Sequence, residues 1–332
     1  MIPADIVARL RCPTCGGAVT ANDDGVACEA GHDTPLVDGY IDARPDSPDG
    51  LTRQTLESFG YEWTTFDTIQ PEDRRFWDMY FKDVPLDWLA GAVALDAGCG
   101  KGRYTSFLAP HVKALAALDG SAATEAAVRN LAECGNVAVV RGDLRDAPFA
   151  SQSFDFVCCL GVLHHLEDPA AGFRRLIQLL APGGRVLVYL YSRPERLCAR
   201  LIGLAAARWA RRLTVRLPHG LLRWVSAPLA GALYVALVLP GAVGRRLGVA
   251  PVARLPLATY RGKPMRSLWL DTFDRLSAPV EHRYLWSELE PWFREQGLEV
   301  EHVREEAGLF ILARRAEEPD AKDVRAEPTA SQ

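Results

Sequence analysis

Three groups of residues in this 332-residue chain have types and spacings that could do chemistry. The first is Cys12-Pro-Thr-Cys15, then, after twelve residues, Cys28 and, four positions on, His32. Two knuckles of soft ligands at this separation suit one tetrahedral Zn²⁺. Protein fills all four positions and none is left for water, so the site reads as structural. A CxxC can also be a redox pair, but no thioredoxin-like βαβ pattern surrounds this one.

The second group is Asp96-Ala97-Gly98-Cys99-Gly100-Lys101-Gly102, with Asp119 and Asp143 following at the ends of later apolar runs. Alternate glycines let the backbone approach a ligand without Cβ clashes. A dinucleotide fold needs a small third residue at position 103, and here it is Arg103. Asp96 precedes the loop by two residues and would repel a pyrophosphate. The loop therefore favours a cofactor without phosphates and with a cationic end. An acid placed as Asp119 is, 21 residues after Gly98, can accept from ribose hydroxyls, and Asp143 can read an adenine edge. Either alone could be a turn or cap residue. The third group is His164-His165, two candidates for a general base, of which only one can face a pocket because adjacent residues point different ways. The competing reading of LHHLEDP is a strand-to-helix turn with histidine as filler.

These groups need a scaffold. Short apolar runs at 92–96, 114–119, 137–143, 154–160 and 184–191 alternate with helical stretches at 124–133 and 170–180. This pattern predicts an α/β fold with a doubly wound, Rossmann-like parallel sheet. It resumes with an amphipathic helix at 285–297 and two strands to residue 315, and PGG at 182–184 reads as a sharp stop. The expected organisation is a zinc ribbon (1–44), a linker and aromatic-rich helical cap (45–91), a core (92–191), a basic apolar helical insertion forming an acceptor lid (192–280), the C-terminal helix and last strands (281–315) and a disordered tail (316–332). Tyr61 and Trp63 in the cap are candidates to cover the cofactor, with core packing as the alternative.

Taken together, LDAGCGKGRYTSFLA, LDGS, GDLRDAPF, SFDFVCCLGVLHHLEDP and LAPGGRVLVYLY resemble the motif series of class I S-adenosylmethionine-dependent methyltransferases, strongly over 92–191 and weakly over 285–315. The resemblance implies a seven-stranded sheet with an antiparallel last strand. It implies methionine at Gly98, Cys99, Gly100 and Gly102, ribose at Asp119 and Gly120, and adenine near Asp143 and Leu144. Leu160 and Gly161 would face the transferred methyl, and Asp96 would suit the ammonium end.

Hydrophobic content of 48% and charged content of 24% exclude global disorder, and the net charge of −4 argues against a general nucleic-acid binder. The charge is uneven: residues 193–266 hold thirteen arginines and Lys263 against one acid, Glu195. Within them lie twenty uncharged residues, 225–244, interrupted by Pro228 and Pro240 and flanked by arginine on both sides. Basic flanks at both ends oppose a single membrane span. The expectations are a small, apolar, lipid-like or anionic acceptor, peripheral contact with a membrane through 193–266, or an ordinary helical lid. His282 is a further candidate to reach the acceptor. The start lacks a basic n-region and a long apolar run, which predicts a cytoplasmic protein, with a peripheral place at the inner membrane face as the extension of that expectation. Two rivals remain. Cys12, Cys15, Cys28 and His32 are spaced as in the zinc ribbon of bacterial ribosomal-RNA guanine methyltransferases, although Asp23, Asp24, Glu29 and Asp33 would repel phosphates. A non-catalytic protein using its ribbon to dock a partner is the other.

Overall fold

The computed structural model describes residues 2–44, 50–194, 199–253, 255, 257, 260–306 and 308–317. Residues 45–49 of the expected linker, parts of the insertion and 318–332 of the expected disordered tail lie outside the described residues.

The central strands form where the sequence is continuously apolar. β5 (Val93–Ala97), β6 (Ala114–Asp119), β7 (Val137–Arg141), β8 (Phe154–Leu160) and β9 (Leu180–Leu190) pair in parallel in the order β7-β6-β5-β8-β9. Helices cover both faces, so Leu95, Leu115, Phe156 and Val157 are wholly buried. β11 (Leu309–Arg315) runs antiparallel to β9, and β10 (Leu298–Glu305) pairs outside it. These seven strands are the sheet the motif series implied. PGG does not stop the chain: β9 already starts at Leu180, and the glycines lie where its register with β8 shifts.

Strand order reverses at β5, which lies between β6 and β8. In an open parallel sheet this opens a crevice beyond the carboxyl ends of the strands. The Gly-loop leaves β5 there.

Before the core come helix α1 (Ala4–Val7) and strands β1 (Val19–Asn22), β2 (Gly25–Cys28), β3 (Asp33–Val37) and β4 (Tyr40–Asp42). β4 pairs in parallel with β7, Ile41 opposite Val140, so the ribbon extends the central sheet to eleven strands. Ile6, Leu10 and Cys12 pack into the main core.

Two helices, α2 (Gly50–Thr65) and α3 (Asp73–Tyr80), precede β5 and lie over the crevice. Around the sheet run α4 (Arg103–Leu108), α5 (Ala123–Asn130) and α6 (Pro169–Leu179). Asp168 caps α6 by accepting from the Ala171 amide at 2.9 Å, with Pro169 in its first turn. The insertion after β9 is helical: α7 (Ala199–Thr214), α8 (His219–Leu233), α9 (Leu239–Arg246), α10 (Ala250–Ala253) and α11 (Met265–Ser277). A π turn, Tyr234–Val238, joins α8 to α9 just before Pro240, whose missing amide cannot continue an α-helical ladder. α12 (Trp286–Glu295) leads back to β10.

Candidate active site

The crevice beyond β5, β6 and β8 is a cavity of about 1110 Å³ including its mouth. Of the residues proposed for the cofactor, Gly98, Cys99, Gly100, Asp119, Gly120, Asp143, Leu144, Leu160 and Gly161 line it. Gly98 has φ +86°, and a Cβ there would fall 2.3 Å from Val162 Cγ2 on the next loop. Gly100, φ +54°, lies under Trp63, whose Nε1 would be 3.2 Å from a Cβ. Only glycine permits both the backbone conformation and the closeness.

Two proposed residues lie elsewhere. Gly102 packs against Leu131 behind the loop, where a Cβ would be 2.8 Å from Cδ1. Asp96 is buried beneath the loop and accepts from Thr105 Oγ1 at 2.6 Å. Burial pushes its pKa up to about 6. It holds β5 to α4 and is not among the residues that line the cavity, so an ammonium group there would meet it only through the loop.

Asp119 fixes the loop to the end of β6. Its Oδ2 accepts from the Gly100 amide at 2.9 Å, and its Oδ1 from Ser121 N and Oγ at 2.8 and 2.6 Å. Asp143 accepts from its neighbour Arg145, with Nη2 at 2.7 Å from Oδ2. The Lys101 ammonium is not offered to a ligand: it donates to the Phe66 and Thr68 carbonyls at 2.8 and 2.7 Å. Burial lowers its pKa to about 8. A Gly-cradled cavity bordered by Asp119 and Asp143, with its lysine committed to backbone, fits a phosphate-free nucleoside cofactor of cationic character.

Helix α2 supplies the roof. Thr52, Thr55, Leu56, Phe59 and Trp63 line the cavity and recur every three or four positions, one face of a helix. Trp63 and Phe59 therefore cover the site. Tyr61 turns away and stacks on His219 at 5.4 Å, so its expected cofactor contact is corrected. The stripe was legible in the sequence, but the aromatic density drew attention from its period.

A second chamber, about 1170 Å³, meets the first at Phe59, Trp63, Leu160, Gly161 and His165. Its far wall comes from α11 (Asp271, Asp274 and Arg275), from Tyr189 on β9 and from Tyr191 just after it. Glu62 projects in from α2. Glu62 Oε2 and Asp274 Oδ1 are buried with no hydrogen-bond partner among the described residues. Burial, with mutual repulsion between Glu62, Asp274 and Asp271, raises the Glu62 pKa well above the usual carboxylate range. Burial likewise raises that of Asp274. Sequence reasoning missed Glu62 and Asp274, because no local spacing links positions 62 and 274.

The turn Leu163–His165 separates the paired histidines. His165 lines both cavities, and its Nδ1 is 2.7 Å from the Val280 carbonyl. A carbonyl only accepts, so Nδ1 carries the hydrogen and Nε2 is left as an acceptor. Burial lowers its pKa and keeps it neutral. His164 lines neither cavity; it is buried, stacked on Tyr191 at 3.8 Å, with both ring nitrogens unpartnered among the described residues. Of the two candidates, His165 is therefore the one that reaches the cavities, and His164 is placed in the packing. His282 also lies outside the chamber wall, where its neighbour Arg283 stands instead.

The four ribbon ligands converge. Cys15 and Cys28 sulfurs are 3.6 Å apart, and His32 Nδ1 lies 3.7 and 3.4 Å from those of Cys12 and Cys28. Zn–S bonds of about 2.3 Å at tetrahedral angles place sulfurs about 3.8 Å apart, so the set fits the ion. Burial raises the Cys12 pKa, but the Cys15 and Thr14 amides outweigh it and hold the thiol near about 6.

Strand order, Gly-loop and acid positions all point one way, and residues 95–188 match the family model described as a methyltransferase domain. Residues 95–188 thus form a methyltransferase domain. Among curated relatives, an uncharacterized protein of Synechococcus sp. is 40% identical over 105 residues, 30% of this chain and 25% of that one. The 2-phytyl-1,4-naphtoquinone methyltransferase of Thermosynechococcus vestitus is 33% identical over 122 residues, 35% of this chain and 54% of that one. The chain thus spans a quarter to about half the length of these relatives. A solved structure, the 1,6-didemethyltoxoflavin-N1-methyltransferase of Burkholderia thailandensis, is 15% identical at a TM-score of 0.47, covering 82% of this chain and 94% of that one.

Proposed function

We propose that this protein transfers a methyl group from S-adenosylmethionine to a small acceptor carrying hydrogen-bond donors. The observation that carries the reading is the junction of the two cavities at Leu160, Gly161 and His165. S-adenosylmethionine, when bound, supplies an already activated sulfonium methyl. Gly98, Gly100, Asp119, Gly120, Asp143 and Leu144 would hold it. Phe59 and Trp63 exclude water from above, and the meeting of the cavities aligns the reactants.

His165 is the general base of this reading. Its neutral Nε2 would take the proton of an acceptor hydroxyl or amine bound at the junction. Glu62 and Asp274 supply acceptors for further donor groups, because leaving their oxygens unpaired is costly. The rings of Tyr189, Tyr191 and Phe76 suit an aromatic body. A naphthoquinone-methylating relative is consistent with such an acceptor. Leu204 and Leu270 line the same chamber and support an acceptor with apolar character. Cys12, Cys15, Cys28 and His32 would hold one structural zinc ion.

Calorimetric titration with S-adenosylhomocysteine tests the cofactor half. Micromolar binding is expected, with at least a tenfold loss in Asp119→Ala while far-UV circular dichroism is unchanged. No binding by the wild-type protein, or unaltered affinity in the variant, overturns the assignment.

A further inference from the structure

Helices α8 and α9 form one run, His219–Arg246, of 28 residues with a window of mean hydropathy 1.7, yet only 22% of that window is buried. The run has two apolar sides. Leu222, Ala230 and Val238 are buried on the inner one. Side chains strap that side down along its length: Trp269 Nε1 donates to Ser226 Oγ at 3.1 Å, and Tyr234 Oη to the Lys263 carbonyl at 3.0 Å. The outer side carries Leu221, Trp224, Leu229, Val235, Leu239 and Val243, all exposed, and Trp224 is 78% exposed. Trp209 on α7, 68% exposed, and Leu247 just past α9, 72% exposed, are further uncovered apolar side chains of the same insertion. Between Leu239 and Val252 the surface holds an apolar groove of about 680 Å³. An uncovered patch of this extent marks an interaction surface.

Charge decides what covers it. Arg208, Arg212, Arg216, Arg223, Arg245 and Arg246 are exposed around the patch, and residues 199–253 contain no acid. None of the six forms an ion pair among the described residues. A second copy would meet the patch through a two-fold axis and set arginine against arginine. A surface that is both apolar and anionic matches it, and tryptophan and arginine around apolar residues are the composition of an interfacial helix.

We propose that the outer face of α7–α9 docks the protein in the interfacial plane of an anionic lipid bilayer. The 28-residue run, about 42 Å long, exceeds what crossing requires. Its lateral straps, to Trp269 on α11 and to Lys263 just before it, hold it along the protein, so it lies in the interface and does not span it. α7 also walls the second chamber through Leu204, which brings that wall to the lipid. The docking does not depend on the methyltransferase reading.

Sedimentation of the full chain with vesicles tests it. Phosphatidylcholine vesicles containing 30% phosphatidylglycerol should pellet the protein, with a blue shift of tryptophan emission. Pure phosphatidylcholine, or half-molar salt, should weaken binding at least tenfold. Trp209→Ser with Trp224→Ser, and separately Arg245→Glu with Arg246→Glu, should each weaken it at least tenfold while S-adenosylhomocysteine affinity is unchanged. Equal pelleting of both double variants, or none by the wild type, overturns the proposal. So does retention on vesicles that only detergent reverses, the sign of a span. A vesicle-free dimer that the tryptophan variant dissolves overturns it too, by making the face a self-interface.

Discussion

At the scale of single residues, two adjacent histidines have opposite fates. His165 donates through Nδ1 to the Val280 carbonyl and lines both cavities, whereas His164 stacks under Tyr191. Replacing His165 with Gln should lower kcat by about a hundredfold or more and leave S-adenosylhomocysteine affinity unchanged. Its pKa is lowered, so the wild-type rate should hold through neutral pH and fall only below about 6.5, and the variant should lose that acid limb. An unchanged pH profile in the variant would remove His165 from the chemistry. His164 gives a stability test. Burial lowers its pKa well below the ordinary value, so the unfolded chain binds a proton that the folded chain refuses. Stability then falls as pH drops below about 6.5, and the contribution is absent above it. His164→Phe should match or exceed the wild-type melting temperature at pH 7 and flatten its decline towards pH 5. A large loss at pH 7 would show that the ring nitrogens have partners.

At the scale of elements, the glycine loop and the ribbon make separate predictions. Gly98→Ala would place a methyl group 2.3 Å from Val162 in a left-handed backbone, displacing the loop from the β8–α6 connection. S-adenosylhomocysteine affinity should fall at least tenfold; wild-type affinity would show that the loop tolerates the shift. In the ribbon, the ligand turns depend on ion and backbone together: the Gly16 amide donates to the Cys12 carbonyl at 2.8 Å, and that of Gly31 to Cys28 at 3.0 Å. The protein should hold about one equivalent of zinc, and chelation should remove hydrogen-exchange protection from 12–37. Loss should spread into 140–141, because β4 pairs with β7 there. Metal-free protein with full protection would refute the zinc site.

At the scale of the whole molecule, the ribbon closes an edge. Without residues 1–44, β7 would expose a free row of backbone groups next to Val139 and Val140. Free parallel edges template aggregation. The truncated protein is expected to aggregate in light scattering where the full chain stays monodisperse; a stable, monodisperse truncation would show that the edge protects itself. The sequence by itself determined the parallel core. Strands buried on both faces must be continuously apolar, and 154–160 shows that without any partner in view. It also picked out the four ribbon residues that converge and most of the residues that line the first cavity, because Gly98, Asp119 and Asp143 sit at strand ends, where local pattern and position coincide. It did not determine the short ribbon strands: β1 has three exposed residues of four and no period to read. Tertiary structure alone decided that β4 would join β7, that Asp96 would lie under the loop, and that His165 and not His164 would face the cavities. It also brought Glu62 and Asp274 into one chamber. Each of these turns on contacts between segments far apart in the chain or on the direction of one side chain at a turn, and neither leaves a repeating pattern in the sequence.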